Sequence, residues 1–223
     1  AAAEAAAIAA EPEEVPVNVN VIRLPPHVTP SYGLQALYVD NDYGNSTTLI
    51  NPRTREFGAT IPVDDPYNLY FTTDGRYAVV VAEARERLDF YDAKTFRLVQ
   101  RLKVDCPGVD HMDFSADGTH ALVSCEFGAR MLWVDMQHRK VLSAITLKPQ
   151  SMPQDVKLSP DGKTFYVADM KHGGVYVITA ATRKIERFLP TGSGAHGLYP
   201  SRDSTRLYIT HRPGHSLSFP GFA

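Results

Sequence analysis

A chain of 223 residues can bury roughly 70% of the surface its unfolded form exposes, so size alone does not limit folding. With 23 Lys+Arg against 25 Asp+Glu and a net charge of −2, it lacks the basic excess that nucleic acid or an anionic membrane surface calls for. No apolar run approaches the ~18–20 residues of a membrane-spanning helix, so no membrane span is expected. The expected partner is a protein or a small-molecule ligand.

In chain order, Ala1 to Ala10 carries Glu4 and leads into Glu11, Glu13 and Glu14. Without a basic n-region or a strong apolar h-region, residues 1–14 read as a low-complexity tail. It fits the remnant behind a cleaved export signal, a mobile segment or an added sequence. Val15 to Leu24 resembles the last strand of a repeat unit. Residues 15–212 are then repetitive: the turns Asp74-Gly75, Asp117-Gly118, Asp161-Gly162 and the degenerate Asp203-Ser204 recur at intervals of 43, 44 and 42 residues.

Each turn precedes a short β-rich run: Tyr77 to Val81, Ala121 to Val123, Thr164 to Val167 and Leu207 to Thr210, with Leu37 to Val39 in the same slot. A further strand ends in an Asp or Asn and a Thr-containing turn, as in Leu88 to Thr95, Thr48 to Thr54 and Val175 to Thr182; Leu132 to His138 is a divergent copy. Thr60 to Val63, Arg101 to Val104, Ala144 to Leu147 and Arg187 to Pro190 close the units. The units fall near 26–63, 66–104, 109–147, 153–190 and 195–212, and residues 213–223 read as an irregular tail.

Four short strands per unit, joined by Asp-Gly and Pro-containing turns, describe an antiparallel blade. A lone blade cannot cover both apolar faces, and radial stacking does so. The predicted fold is therefore all-β: a β-propeller of four-stranded antiparallel blades, about 4.5 of them. Val79-Val80-Val81, apolar on both faces, fits a sheet sandwiched between two others. Phe90, Trp133, Phe165 and Tyr166 occupy strand slots and are expected in the core.

The Ser159-Pro-Asp-Gly162 turn, the Tyr166-Val-Ala-Asp169 strand, Val177-Ile178 with Thr182, and Phe188-Leu-Pro-Thr191 resemble one repeat of the YVTN family of β-propellers, over about residues 26 to 212. The resemblance implies a protein exported by a bacterium or archaeon and a ring of about seven blades. Fewer blades here imply a fragment, an unusually small ring, or a ring completed by a second chain or by self-association.

Alignment of the first strand of each unit places Pro26-His27, Tyr67-Asn68, Asp110-His111, Gln154-Asp155 and His196-Gly197 at equivalent positions where the chain enters the central channel. Two readings follow for His27, Tyr67, Asn68, Asp110, His111, Gln154, Asp155 and His196: hydrogen bonds that tie blades together, or a polar ligand site at the channel mouth. A narrower version makes His27, His111 and His196 ligands of copper or zinc, with Asp110 or Asp155 assisting. Against it, histidines on alternate blades would have to converge across sheets spaced about 10 Å apart. His120, His138, His172, His211 and His215 read as turn, edge and loop residues.

Cys106 and Cys125 flank one predicted hairpin, within reach of a disulfide that would indicate export. Gly-x-Ser-x-Gly, phosphate-cradling and Cys-x-x-Cys motifs are absent, and no cofactor is expected. The function expected is a non-catalytic, extracytoplasmic binding or assembly module that is secreted, periplasmic or on the cell surface. It would use the channel mouth and top loops for a protein, glycan or small ligand. The alternatives are a propeller enzyme or metal-binding redox protein with a His/Asp site at the mouth, and a structural repeat of a surface layer or adhesin.

Overall fold

The computed structural model describes residues 36–221. Its eighteen strands form five antiparallel sheets in chain order. The first holds β1 (Leu37–Asn41), β2 (Ser46–Ile50) and β3 (Phe57–Pro62); the second β4 (Asn68–Phe71), β5 (Tyr77–Ala82), β6 (Arg87–Asp92) and β7 (Leu98–Lys103). The third holds β8 (Val109–Phe114), β9 (His120–Cys125), β10 (Arg130–Asp135) and β11 (Lys140–Thr146); the fourth β12 (Pro153–Leu158), β13 (Thr164–Asp169), β14 (Gly174–Thr179) and β15 (Ile185–Pro190). The fifth holds β16 (Ala195–Pro200), β17 (Leu207–His211) and β18 (Ser216–Ser218). The propeller architecture expected from the repeats is present, and the blades are counted one to five in this order.

Two expectations need correction or fall outside this description. Residues 213–223 are not wholly irregular, because Ser216–Ser218 pairs with Ile209–His211 as the third strand of blade five. Its Ser-Leu-Ser sequence carries one apolar residue and no Asp-Thr turn, which hid it from pattern reading. His27 and the strand expected over 15–24 lie outside the described residues.

Packing follows from the two-residue period of strands. In β5, Val79 and Val81 enter a core shared with Met112, Val123 and Leu132 of blade three. Ala78 and Val80 enter another with Leu49 and Ile61 of blade one. The pattern continues along the array: Ala121 and Val123 face blade two, while Leu122 faces Val156, Phe165 and Val167 of blade four. Tyr166 and Ala168 face Leu198, Leu207 and Ile209 of blade five.

Turn chemistry holds the register. Ser115 Oγ donates to Asp117 Oδ1 at 2.6 Å, Asp117 Oδ1 accepts from the Thr119 N–H, and Gly118 sits at φ 68°. Thr72, Asp74 and Gly75 repeat the arrangement, as do Ser159, Asp161 and Gly162. These aspartates are occupied within their own turns; the bonds to Ser115 and Thr119 hold the Asp117 carboxyl down at about 2. In blade five Ser204 takes the left-handed place at φ 58°, where an L side chain is strained. Ser204→Gly is expected to raise unfolding free energy by about 0.5 kcal/mol, the relief of left-handed strain less the added chain entropy. Urea titration checks this, and a loss of stability would contradict it.

Cys106 and Cys125 are joined by a disulfide, with Cα atoms 5.0 Å apart. The bridge ties the approach to β8 to the end of β9, alongside Glu126 N–H to Gly108 C=O and Phe127 N–H to Pro107 C=O.

Candidate functional site

The first strand of each blade lies at the inner edge, and its start adjoins the loop between the second and third strands. In blades three, four and five two residues there oppose one on the neighbouring strand: Asp110-His111, Gln154-Asp155 and His196-Gly197. Such bulges re-aim side chains. Hydroxyls pin two of them. Ser124 Oγ accepts from the His111 N–H at 2.9 Å, and Thr210 Oγ1 accepts from the Gly197 N–H at 2.9 Å. The equivalence drawn from sequence is met by these three pairs, whereas in blade two Asn68 pairs in regular register with Val81.

The structure divides the candidates into two sets. Asn68 and Asp155 tie blades together: Asn68 Nδ2 donates to Asp110 C=O at 3.2 Å, and Asp155 Oδ2 accepts from the Leu198 N–H at 2.9 Å. Asp155 Oδ1 also accepts from Lys157 Nζ at 2.8 Å and from the Val156 N–H. Tyr70 and Asp113, which sequence reasoning passed over, do the same work, accepting from Met112 N–H and Leu158 N–H respectively.

Asp110, His111, Tyr67 and His196 form the second set. Asp110 is fully buried, yet neither carboxylate oxygen has an aligned hydrogen-bond donor. His111 Nδ1 lies 2.6 Å from Asp110 Oδ1. The two atoms lie at ion-pair distance but outside the angular range of a hydrogen bond. The His111 ring meets Tyr67 and His196 edge-on, each with centroids 6.4 Å away. Blades two, three and five thus converge here, closer than the spacing argument from stacked sheets allows. Even so, among the described residues no three His, Cys, Asp or Glu side chains are grouped to hold a metal ion.

The adjoining loops complete the cluster. Residues 42–45, 83–86, 126–129, 170–173 and 212–215 are equivalent four-residue connections, and each ends at positive φ, on Asn45, Glu86, Ala129, Gly173 and His215. Their first residues are Asp42, Glu83, Glu126, Met170 and Arg212. Glu83, Glu126 and Arg212 act electrostatically on Tyr67 together with Asp110. Sequence reasoning missed them, although aligning these loops as well as the first strands would have found the slot.

Burial, then Asp110 and Glu126, pushes the Glu83 carboxyl up to about 7. Burial and Asp110 also raise Glu126, against a hydrogen bond from Gln154. Burial and the three acids push Tyr67 up to about 12. For His111, burial favours the neutral ring, but Asp110 outweighs it and the net shift is upward, with Asp155 adding and Lys157 opposing. His196 is held down by burial, by His111 and by Arg212.

Another cluster resembles a catalytic triad and is not arranged as one. His172 Nδ1 contacts Asp169 Oδ2 at 2.7 Å, and the same nitrogen is the one nearest Ser151 Oγ, at 3.4 Å. A relay needs the acid and the nucleophile on opposite ring nitrogens. His211 is buried, contacting Gly192 C=O and Ser218 Oγ, and so is not the surface residue its loop position suggests. His120 stacks on Trp133 at 5.0 Å.

Five antiparallel blades with polar groups converging at the inner edge define a β-propeller. A family profile matches residues 18–218, and the chain belongs to the YNCE-like beta-propeller family. No curated protein matches it. Among solved structures it is similar to hydrazine synthase of Kuenenia stuttgartiensis, at 21% identity and TM-score 0.72, covering 91% of this chain and 59% of that one. A putative 6-phosphogluconolactonase of Bacteroides fragilis matches at 16% identity and TM-score 0.69, covering 83% and 63%. The dihydro-heme d1 dehydrogenase NirN in complex with DHE matches at 17% and 0.65, covering 85% and 42%. The chain spans less than two thirds of each of these proteins, and at such identities the likeness is one of fold.

Two outcomes are expected. Asp155→Ala removes the acceptor of Leu198 N–H and strands Lys157, lowering unfolding free energy by about 3 kcal/mol in urea titration; a change within error would deny the tie. Glu83 acts through pH. Its folded value of about 7 exceeds the ordinary 4.5, so the folded state holds the extra proton across that window and stability falls as pH rises through it. His111, raised above 6.5, adds the same sign at higher pH, whereas His196, lowered, costs stability as pH falls through 6.5. Glu83→Gln should flatten the decline between pH 4.5 and 7, and an unchanged slope would refute the assignment.

Proposed function

We propose that this chain is a non-catalytic, extracytoplasmic binding or assembly module that receives a ligand where the first strands begin. The single observation that carries this reading is Asp110, a fully buried carboxylate without an aligned donor. Proteins rarely leave a buried carboxylate with so few donors; its close neighbour is His111 Nδ1 at 2.6 Å, and a ligand would meet it through the half-buried His111, Tyr67 and His196. Histidines, a tyrosine and loop acids around it offer donors, acceptors and flat apolar faces, the mixture of a small-ligand site.

Support for an extracytoplasmic setting comes from the Cys106–Cys125 bridge, since structural disulfides persist in oxidising compartments. The finer resemblance to YVTN-type repeats of exported proteins belongs to the same reading. Against a hydrolytic role stands the geometry of Ser151, His172 and Asp169, which share one imidazole nitrogen.

The test is a ligand-observed NMR screen of metabolites and oligosaccharides, with hits mapped on the imidazole resonances of His111 and His196. A true ligand at 100 times its Kd raises unfolding free energy by about 2.7 kcal/mol, and Asp110→Asn abolishes that gain. Hits that map only to outer strands, or that survive Asp110→Asn unchanged, would overturn the site. Thiol labelling of cell-fractionated protein without reductant should leave Cys106 and Cys125 unmodified in an extracytoplasmic fraction. Reactive thiols in the cytoplasm would overturn that placement.

A further inference from the structure

Blades one and five each turn one face away from the rest of the array. In blade five Leu207 and Ile209 are buried against blade four, so strand alternation turns Tyr208 and Thr210 the other way. Thr210 stands opposite Leu217, and the Tyr208 and Phe219 rings have centroids 6.4 Å apart. Blade four carries Tyr166, Ala168, Val175 and Val177 at the same register, and there all four are buried under blade five. In blade five, by contrast, Leu217 is 50% and Phe219 55% exposed. This face has the contact surface of an inner blade, and no sheet covers it among the described residues.

Tyr199 extends the match to the first strand. It stands opposite Tyr208 as Tyr70 stands opposite Val79 and Asp113 opposite Leu122. Tyr70 and Asp113 each accept a backbone N–H from the blade that follows, those of Met112 and Leu158. In blade four Lys157 has this place, and Asp155 beside it takes the N–H of Leu198 instead. Tyr199, 59% exposed, brings a hydroxyl acceptor to the same register position.

Blade one carries the complementary half. Its Tyr38 packs on Phe71 and Phe96 of blade two, so Leu37 and Val39 point away from the array, and both are exposed. Leu37-Tyr-Val39 holds the place before its connecting loop that Leu207-Tyr-Ile209 holds before its own. In blade five those two side chains fill the contact with blade four. On the same side of blade one, Asn41 donates to Ser46 and Thr48, and Thr48 bonds Thr60. These polar groups can be covered without losing their partners.

We propose that the two faces meet between copies of this chain: blade one of a second copy docks head to tail on the outer face of blade five, as each blade docks on the one before it. The contact continues an interface the protein already makes between successive blades. A chain that bears both halves of one contact at opposite ends is its own partner, and such an assembly closes into a ring or extends according to the rotation between copies. The inference goes beyond the ligand site and does not depend on it.

The test is the mass of the full chain by sedimentation velocity over a dilution series. The wild type is expected to associate reversibly into species of two or more chains. Leu217→Lys places a charge in the contact and should weaken association by about tenfold or more, and Val39→Lys on blade one should do the same. Both positions are exposed in the single chain, so its near-ultraviolet circular dichroism should not change; Tyr199→Lys is a further variant of the blade five face should Leu217→Lys not fold. Mixing the Leu217→Lys and Val39→Lys proteins restores one sound contact, so two variants that are single chains alone should form a dimer together. A single-chain mass for the wild type at every concentration overturns the second copy and leaves the face to a different partner. Association lost with Leu217→Lys but kept with Val39→Lys overturns the head-to-tail pairing in favour of blade five on blade five. Association that survives both Leu217→Lys and Tyr199→Lys overturns the face itself.

Discussion

Everything in this molecule depends on the strand alternation that sends neighbouring residues into different cores. Val80 and Val81 are adjacent in sequence, yet one packs toward blade one and the other toward blade three. Each middle strand is thus apolar on both faces, and no blade can bury itself without two neighbours. A one-residue slip would exchange the two faces of a blade wholesale. Because Ala78 and Ala82 are small where Tyr91 and Leu88 are large, the exchanged volumes would not fit. Register must therefore be strongly fixed, and the Ser-x-Asp-Gly and Asp-x-x-Thr turns, neighbours at one end of each blade, fix it with side-chain to backbone bonds.

That constraint reaches the inner edge in an altered form. The first strand is held to the second at Met112, Asp113 and Phe114, but two residues are crowded opposite Ser124. The bulge lets one residue of each pair leave the ladder without disturbing the pairs on either side. Regular packing at the middle of the blade and irregular backbone at its end are thus one design: the first tolerates no change of register, and the second turns polar side chains toward neighbouring blades.

Much of this was legible in the sequence. The repeat spacing, the strand order and the equivalence of Asp110, Gln154 and His196 all follow from aligning turns, because turn chemistry is local. The proximity of Cys106 and Cys125 followed from the same hairpin reasoning. What was not legible depended on distances between blades. The approach of His111 to His196 crosses an entire blade, and nothing local reports it. Glu83 and Arg212 escaped because they stand in loops whose sequences share no motif, only length and a closing left-handed residue. Residues 216–218 escaped because three residues are too few to show a period.

Asp110 and Asp155 show why composition could not separate carboxylates whose hydrogen bonds are met within the protein from those whose are not. Both lie in the crowded pair that opens a first strand, and both are buried. Asp155 is the second of its pair; its two oxygens reach Leu198 N–H, Val156 N–H and Lys157 Nζ, so its charge is matched by the protein itself. Asp110 is the first of its pair and finds only His111, off-axis. One place along a bulge decides whether a carboxylate completes a joint between blades or is left without an aligned donor. Whether such a residue joins blades is decided only by following each lone pair to its partner.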